Sequence, residues 1–246
     1  MTARTRLDSL LVERGLVESR EKAQALILAG EVLADGQKVT KAGQKISPEA
    51  QIRLLGRKLR FVGRGGEKLE AAMERFAIDV RGKVCLDVGA STGGFTDCLL
   101  QRDARKVYAV DAGRAQLHWK IRQDPRVIVC EKVNARFLSP GTVPEKIEFV
   151  CCDVSFISVT LILPALIPLL TPAAAMVVLV KPQFEVGKGE VGKGGIVRDP
   201  VLHEKAIDKL RNALEELGFH SLQTMDSPIL GAEGNKEFLI YAAPRG

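Results

Sequence analysis

The chain has 246 residues, 46% of them hydrophobic and 27% charged, a composition of a soluble protein with length for two domains and a full core. Its net charge of +6 favours a polyanionic partner without requiring one. The five cysteines, Cys85, Cys98, Cys130, Cys151 and Cys152, are odd in number, sit mostly in apolar runs and lack zinc-like pairing, so they are expected to be reduced core residues of a cytoplasmic protein with no metal site.

No apolar stretch precedes Asp8 and Glu13, so no secretory signal is expected. An amphipathic helix from Arg6 ends near Gly15. Ser19 then suits an N-cap for a second helix that Gly30 closes. Residues 31–40, EVLADGQKVT, read as strand, Asp35-Gly36 turn and strand, a hairpin. A glycine-spaced basic hinge follows, with Arg53, Arg57, Lys58, Arg60, Arg64 and Lys68, a charge density suited to phosphate contacts. The domain boundary is placed near Gly63, giving residues 1–62 and 63–246.

From Lys83 onward strands and helices alternate. Val84 to Val88 form an apolar strand, a glycine turn follows, and a helix begins near Gly94. A second strand ends at Asp111, a third near Asn134, and a fourth spans EFVCCDVSF. The fifth is MVVLVKP and a late one EFLIYAA. This order predicts an α/β fold, a doubly wound and mainly parallel sheet with its ligands at the carboxyl ends of the strands. The uncharged run Val159 to Val180 is long enough to span a membrane, but Pro164, Pro168 and Pro172 break it. A short buried helix, a turn near Thr171-Pro172 and a strand from Ala175 account for it instead.

The turn GASTGG carries Gly89, Gly93 and Gly94, whose small size lets backbone approach a ligand, and Asp111 ends the next strand where it can accept ribose hydroxyls. Such a site holds a dinucleotide or S-adenosylmethionine. The dinucleotide fingerprint G-x-G-x-x-G is not met, because Ala90 and Ser91 follow Gly89, and Asp87 stands inside the first strand. The reading favours S-adenosylmethionine, with Asp111 on the ribose and Asn134 near the adenine.

Lys181 raises a separate question, since it ends the core strand VVLV just before Pro182. Methyl transfer to a hydroxyl needs a base, and a lysine amine serves where burial and nearby cations favour its neutral form. Partners stand on segments that should converge: Asp153 after the fourth strand, Glu237 before the late strand, and Lys68 ahead of the sheet.

Lys68, Asp153, Lys181 and Glu237 resemble, in order and setting, the Lys-Asp-Lys-Glu tetrad of FtsJ-like RNA ribose 2′-O-methyltransferases. The phrases RGGEKL, DVGASTGGFTDCLLQ, DVSFISVTLILPAL and LVKPQFE are similar to motifs of the TlyA, or haemolysin A, family of rRNA cytidine 2′-O-methyltransferases. RLD at residues 6–8, SREKA at 19–23, Ala29-Gly30 and VLADG at 32–36 resemble an S4-like RNA-binding domain.

The resemblance implies a Rossmann-like S-adenosylmethionine-dependent methyltransferase sheet behind a small N-terminal α+β RNA-binding domain. It implies Lys181 as central base, Asp153 and Glu237 orienting it, and Lys68 placing substrate or shaping charge. Cofactor contacts fall on Asp87, Gly89, Ala90, Ser91, Gly93, Gly94, Phe95, Asp111, Asn134 and Asp153. RNA contacts fall on Arg6, Arg20, Lys22, Lys38, Lys41 and Arg64. The implied partner is ribosomal RNA or a ribosomal subunit, with the large subunit favoured by chain length, and no membrane. A membrane-lytic protein and a non-catalytic ribosome-binding protein are the alternatives.

Two further features are weighed. The loop FEVGKGEVGKGGIVRDP is either a surface loop or a lid whose Lys188, Lys193 and Arg198 meet phosphates; glycine after Lys193 breaks the phosphate-loop spacing, which rules out nucleotide hydrolysis. His118 and Trp119 are expected on a helix after the second strand, His118 as a surface or core-packing residue rather than a base and Trp119 as a packing residue.

Overall fold

Leu7, Leu10 and Leu11 line one side of helix α1 (Leu7–Glu13), and in the computed structural model they are buried against Ala23 and Ile27 of α2 (Arg20–Leu28). Residues 4–17, 19–55, 60–231 and 234–244 are described, and the chain divides into two units, residues 1–58 and 59–246. The hinge cations Arg57 and Lys58 lie outside the described residues.

In the first unit, Ser19 caps α2 by accepting the Lys22 N–H, as its sequence position predicts. Strands β2 (Val32–Ala34) and β3 (Gln37–Val39) form the hairpin, turning on Asp35 and Gly36, both at positive φ. That conformation matches the twist of a two-residue connection. A third strand, Ile52–Leu54, pairs with the other side of β2, and a two-residue pair joins Thr5–Arg6 to Lys45–Ile46.

The second unit opens with helix α3 (Gly65–Arg75) and then a seven-stranded sheet. Five parallel strands are Val84–Val88, Lys106–Asp111, Val127–Glu131, Ile147–Cys152 and Leu170–Val180, here β6 to β10 in chain order, the two-residue pair and the third strand of the first unit being β1, β4 and β5. Antiparallel β12 (Phe238–Pro244) and β11 (Phe219–Asp226) extend the β10 edge, giving the order β11-β12-β10-β9-β6-β7-β8. Strand order reverses between β6 and β9, so a crevice opens at their carboxyl ends.

Alternation along β6 sets the two cores. Val84, Leu86 and Val88 face one layer with Ile207 and Leu210 of α8 (Pro200–Glu216), whereas Cys85 faces the other with Leu69 and Met73 of α3 and Leu99 of α4 (Gly94–Gln101). Cys85, Cys98, Cys151 and Cys152 are buried free thiols, and Cys130 is half-buried.

Several expectations are corrected. No turn stands at Thr171-Pro172: β10 begins at Leu170, pairs with Ile147, then slips in register before Ala175. Pro172 has no N–H for the ladder, so the strand bulges past it rather than ending there. The helix expected ahead of β10 is three short pieces, Val159–Leu161, α6 (Leu163–Leu166) and Ile167–Leu169, with Pro164 and Pro168 at the starts of two of them. The third strand of the sheet, β8, stops at Glu131, and Asn134 instead caps the 3-10 turn Ala135–Phe137. Trp119 is 59% exposed at the head of the four-residue α5 (Trp119–Arg122), stacked on the His118 ring and outside the core. No described helix is long and apolar enough to cross a membrane.

Candidate active site

Gly89 follows β6 at φ +86, and a Cβ there would stand 2.2 Å from the Asp153 carbonyl oxygen. Only glycine lets the turn after β6 lie this close to the end of β9. The N–H groups of Gly89 and Ala90 both donate to the Val110 carbonyl, fastening the turn to β7. Beside it a cleft of about 390 Å³ is lined by Gly89, Ser91, Asp111, Asn134, Asp153 and Ser155, among others.

Asp111 shapes this cleft from below. Its Oδ2 accepts the Ser91 N–H at 2.8 Å and its Oδ1 the Gly113 N–H at 2.7 Å, so one carboxylate holds both flanking loops. Each oxygen keeps a second lone pair. Asn134 accepts the Arg136 N–H through Oδ1.

Gly93, Gly94 and Phe95 face elsewhere. Gly93, at φ +94, packs against Leu117 and Ile121, while a Cβ on Gly94 would stand 2.9 Å from the Gly66 nitrogen and 3.0 Å from the Gly63 oxygen. Phe95 is buried against Gly65. These residues therefore seat the start of α4 on residues 63–66, and Asp97 fastens the same segment by accepting the Val62 N–H at 2.8 Å. Asp87 is fully buried beneath the turn; its Oδ2 accepts the Thr96 hydroxyl at 2.6 Å, and Oδ1 meets no hydrogen-bond donor. Burial pushes its carboxyl up to about 7, the Thr96 hydrogen bond opposes this, and the charge of Asp153 adds to it.

The four residues of the tetrad converge from four elements. Lys181 Nζ stands 2.6 Å from Asp153 Oδ1, an ion pair off the line of a good hydrogen bond, and gives an aligned hydrogen bond to Ser155 Oγ at 2.8 Å. Lys68, on α3, donates to Glu237 Oε2 at 2.5 Å and lies 4.0 Å from Asp153 Oδ2. Glu237 is buried just ahead of β12, packed so closely on Gly231 that no Cβ fits there. Two cations and two carboxylates thus form one largely buried chain of balanced charge. Arg64 is exposed at the start of α3, one helical turn before Lys68.

Three residues of the site escape sequence reasoning. Ser155 and Phe156 follow Asp153 in the cleft wall, and Phe156, 92% exposed at φ +66, holds its ring against Phe184. Glu185, at the end of the turn α7 (Pro182–Glu185) that Lys181 leads into, is buried and accepts from Ser158 Oγ, the Val159 N–H and Lys209 Nζ. It anchors the loop that carries Ser155 and Phe156. A positive φ on phenylalanine has no sequence signal, but the glutamate was readable as a charge four residues past a strand-end lysine.

In the first unit, Asp8 is buried and accepts from Arg6, Arg20, Gln24 and the Ser9 N–H. Arg6 and Arg20 are therefore held at one carboxylate while remaining exposed at their tips. Lys22, Lys38 and Lys41 are exposed, the stem of Lys38 lying over Gly30. The candidate lid is pinned: Asn235 accepts the Val197 N–H and donates to the Gly195 carbonyl, and Lys205 pairs with Glu190.

Fold and site together define the class, a methyltransferase on a Rossmann-like sheet preceded by a small α+β unit. The chain belongs to the FtsJ-like methyltransferase family, whose model matches residues 61–243, and within it to the TlyA family; the model of the S4 domain matches residues 5–52. The 16S/23S rRNA (cytidine-2'-O)-methyltransferase TlyA of Mycobacterium tuberculosis is 46% identical over 98% of this chain and 90% of its own length. The 23S rRNA (cytidine-2'-O)-methyltransferase TlyA of Campylobacter jejuni is 35% identical over 94% of this chain and 96% of its own. A solved structure described as a hemolysin from Streptococcus thermophilus is 43% identical, covers 99% of this chain and 90% of that one, and superposes with a TM-score of 0.77.

Proposed function

We propose that the protein methylates the 2′-hydroxyl of a cytidine ribose in ribosomal RNA, using S-adenosylmethionine. The observation that carries this reading is the convergence of Lys181, Asp153, Lys68 and Glu237 beside the cleft. The cleft fits the cofactor: Gly89 and Ser91 line it, and Asp111 offers paired oxygens, each with a second lone pair, for ribose hydroxyls. When bound, S-adenosylmethionine supplies an electrophilic methyl on a sulfonium, leaving as a neutral thioether.

Lys181 takes the ribose hydroxyl proton as that oxygen gains its methyl group. Asp153 holds the amine, and Lys68, tied to Glu237, balances the charge of Asp153. Gly89, Ala90 and Ser91 bring backbone to the cofactor; Asp111 meets its ribose, Asn134 its adenine, and Asp153 its methyl end. Asp87, Gly93, Gly94 and Phe95 support the turn from beneath and behind. The exposed Phe156 ring offers a stacking face for a base turned out of structured RNA.

Residues 1–62 grip RNA through Arg6, Arg20, Lys22, Lys38 and Lys41, with Arg64 continuing the contact, and residues 63–246 transfer the methyl group. Large-subunit RNA is the favoured substrate, because it is named for both TlyA relatives, and the setting is the cytoplasm. The hemolysin name is a legacy label. The run that favoured a membrane is folded into β10 and short turns.

The test is transfer of labelled methyl from S-adenosylmethionine to separated ribosomal subunits lacking the modification, for wild type and Lys181→Ala, with the product mapped. Label in a cytidine ribose of the large subunit, lost in the variant, is expected. Label on a base, or undiminished transfer by Lys181→Ala, overturns the reading. Cofactor binding without transfer to either subunit would favour the non-catalytic alternative.

A further inference from the structure

Ser155 is absent from the tetrad, yet it receives the one well-aligned hydrogen bond of the Lys181 amine, at 2.8 Å. Asp153 Oδ1 takes the other close approach, at 2.6 Å. A neutral amine has two N–H bonds and one lone pair at tetrahedral angles, so fixing both N–H bonds fixes where the lone pair points. A lysine on a four-carbon stem with a single partner spins about its last C–N bond; with two it does not.

We propose that Ser155 is a positioning residue for Lys181. It accepts one N–H bond of the neutral amine, the carboxylate of Asp153 at 2.6 Å draws the second toward it as an ion-pair partner, and the lone pair is left directed at the ribose hydroxyl. This rests on Lys181 being the base of the methyl transfer proposed above. In the step, the ribose oxygen forms its bond to the methyl carbon as the carbon–sulfur bond breaks and its electron pair stays on sulfur. The hydroxyl proton passes to the Lys181 lone pair, giving the ammonium, while one existing N–H bond stays on Ser155 and the other stays turned toward Asp153.

The structure gives Ser155 the place such a role requires. It lies two residues after Asp153, so both acceptors belong to one turn, and it lines the cleft on the side open to solvent. Three residues further on, Glu185 clamps that turn through Ser158 Oγ at 2.5 Å and the Val159 N–H at 2.8 Å. Glu185 is itself four residues after Lys181. The loop bearing Ser155 and the strand end bearing Lys181 are thus tied at a second point, which keeps the 2.8 Å contact in register.

The experiment compares Ser155→Ala and Ser155→Thr with wild type and Lys181→Ala in single-turnover transfer, with enzyme and S-adenosylmethionine in excess over unmodified large ribosomal subunits. Misorienting a reacting group by an ångström slows reaction on the order of 100-fold. Ser155→Ala is expected to lose about 10- to 100-fold in this rate, with cofactor and subunit affinities within about threefold of wild type. Ser155→Thr, which keeps the hydroxyl, should recover most of the rate.

A second readout is independent of turnover. In protein carrying ¹⁵N-lysine, with Lys181 assigned by its loss in Lys181→Arg, the amine protons should exchange with solvent faster in Ser155→Ala than in wild type. Full rate in Ser155→Ala while Lys181→Ala is dead overturns the positioning role and leaves the base intact. Equal loss in the threonine variant, loss of cofactor affinity, or unchanged proton exchange overturns it too. Full rate in Lys181→Ala overturns the parent reading instead.

Discussion

Asp8 in the first unit and Asp87 in the second are both fully buried carboxyls, and their surroundings treat them in opposite ways. Asp8 collects Arg6, Arg20, Gln24 and the Ser9 N–H, and the Arg6 hydrogen bonds foremost hold it far below the usual carboxylate range. Asp87 has only uncharged donors, foremost the Thr96 hydroxyl, and burial carries it up to about 7. Burial therefore does not decide charge; the donors that come with it do. Glu185, buried as well, collects a hydroxyl, one backbone N–H and one lysine as donors.

The contrast is sharpest in the dependence of stability on pH. A carboxyl raised in the folded state is neutral in both states below about pH 4, so it costs nothing there. As pH rises toward 7 the unfolded chain releases its proton while the folded chain retains it, and stability falls by up to about 4 kcal/mol. Asp87→Asn should accordingly gain on wild type across this window when unfolding is followed in urea. A difference flat from pH 4 to 8 would mean that Asp87 is ionised in the fold despite its burial.

Asp8 has the opposite sign. Its folded value is depressed, so its stabilisation is present above the unfolded value near pH 4 and is lost as pH falls below that. Asp8→Asn should destabilise the first unit by about 2 kcal/mol near neutral pH, the scale of charge-assisted hydrogen bonds lost, and the deficit should shrink in acid. An undiminished deficit at pH 3 would assign the loss to packing rather than to charge.

The two units also differ in how much the sequence discloses. Ser19, Gly30 and Asp35-Gly36 announce the first unit locally, because a cap, a helix end and a two-residue turn are each decided within a few residues. What Asp8 does to Arg20 is not local, since residue 20 reaches it only after α1 and α2 pack. In the second unit the strand ends are legible as apolar runs meeting Asp111, Asp153 and Lys181, and the resemblance brings in Lys68 and Glu237. Their convergence depends on the strand order at β6, β9 and β10, which periodicity does not specify. The glycines of GASTGG show the same limit: close approach was legible, but Gly94 approaches Gly63 and Gly66 of the same chain. Helix α8 was open to reading, through Asp199-Pro200 ahead of Ala206, Ile207, Leu210 and Leu214.

Glu185→Gln tests a buried carboxylate that serves the site through a loop. The amide still accepts from Val159 N–H, and Lys209 is partly exposed and can be solvated, so the loss of stability should be about 1 kcal/mol. The loop holding Ser155 should nevertheless loosen, and single-turnover methyl transfer should fall about 10-fold. Unchanged transfer would show that the loop holds its place without this carboxylate.

The smallest effect on stability belongs to the arginines at Asp8, and it is the most informative about RNA. The side chains of Arg6 and Arg20 are 46% and 53% exposed, so replacing either with glutamine should cost under about 1 kcal/mol. Two guanidiniums share one carboxylate, which leaves a net positive charge and outward-facing N–H groups at the surface of the unit. If each arginine also meets a phosphate, Arg6→Gln and Arg20→Gln should each lower the slope of log affinity for ribosomal RNA against log salt by about 0.7 to 0.9. If Asp8 consumes them, affinity and slope should stay at their wild-type values, and the RNA grip of this unit would fall to Lys22, Lys38 and Lys41. Asp8→Asn separates these outcomes further: releasing both arginines from a carboxylate should strengthen non-specific RNA binding at low salt even as it weakens the fold, because one negative charge leaves an otherwise cationic surface.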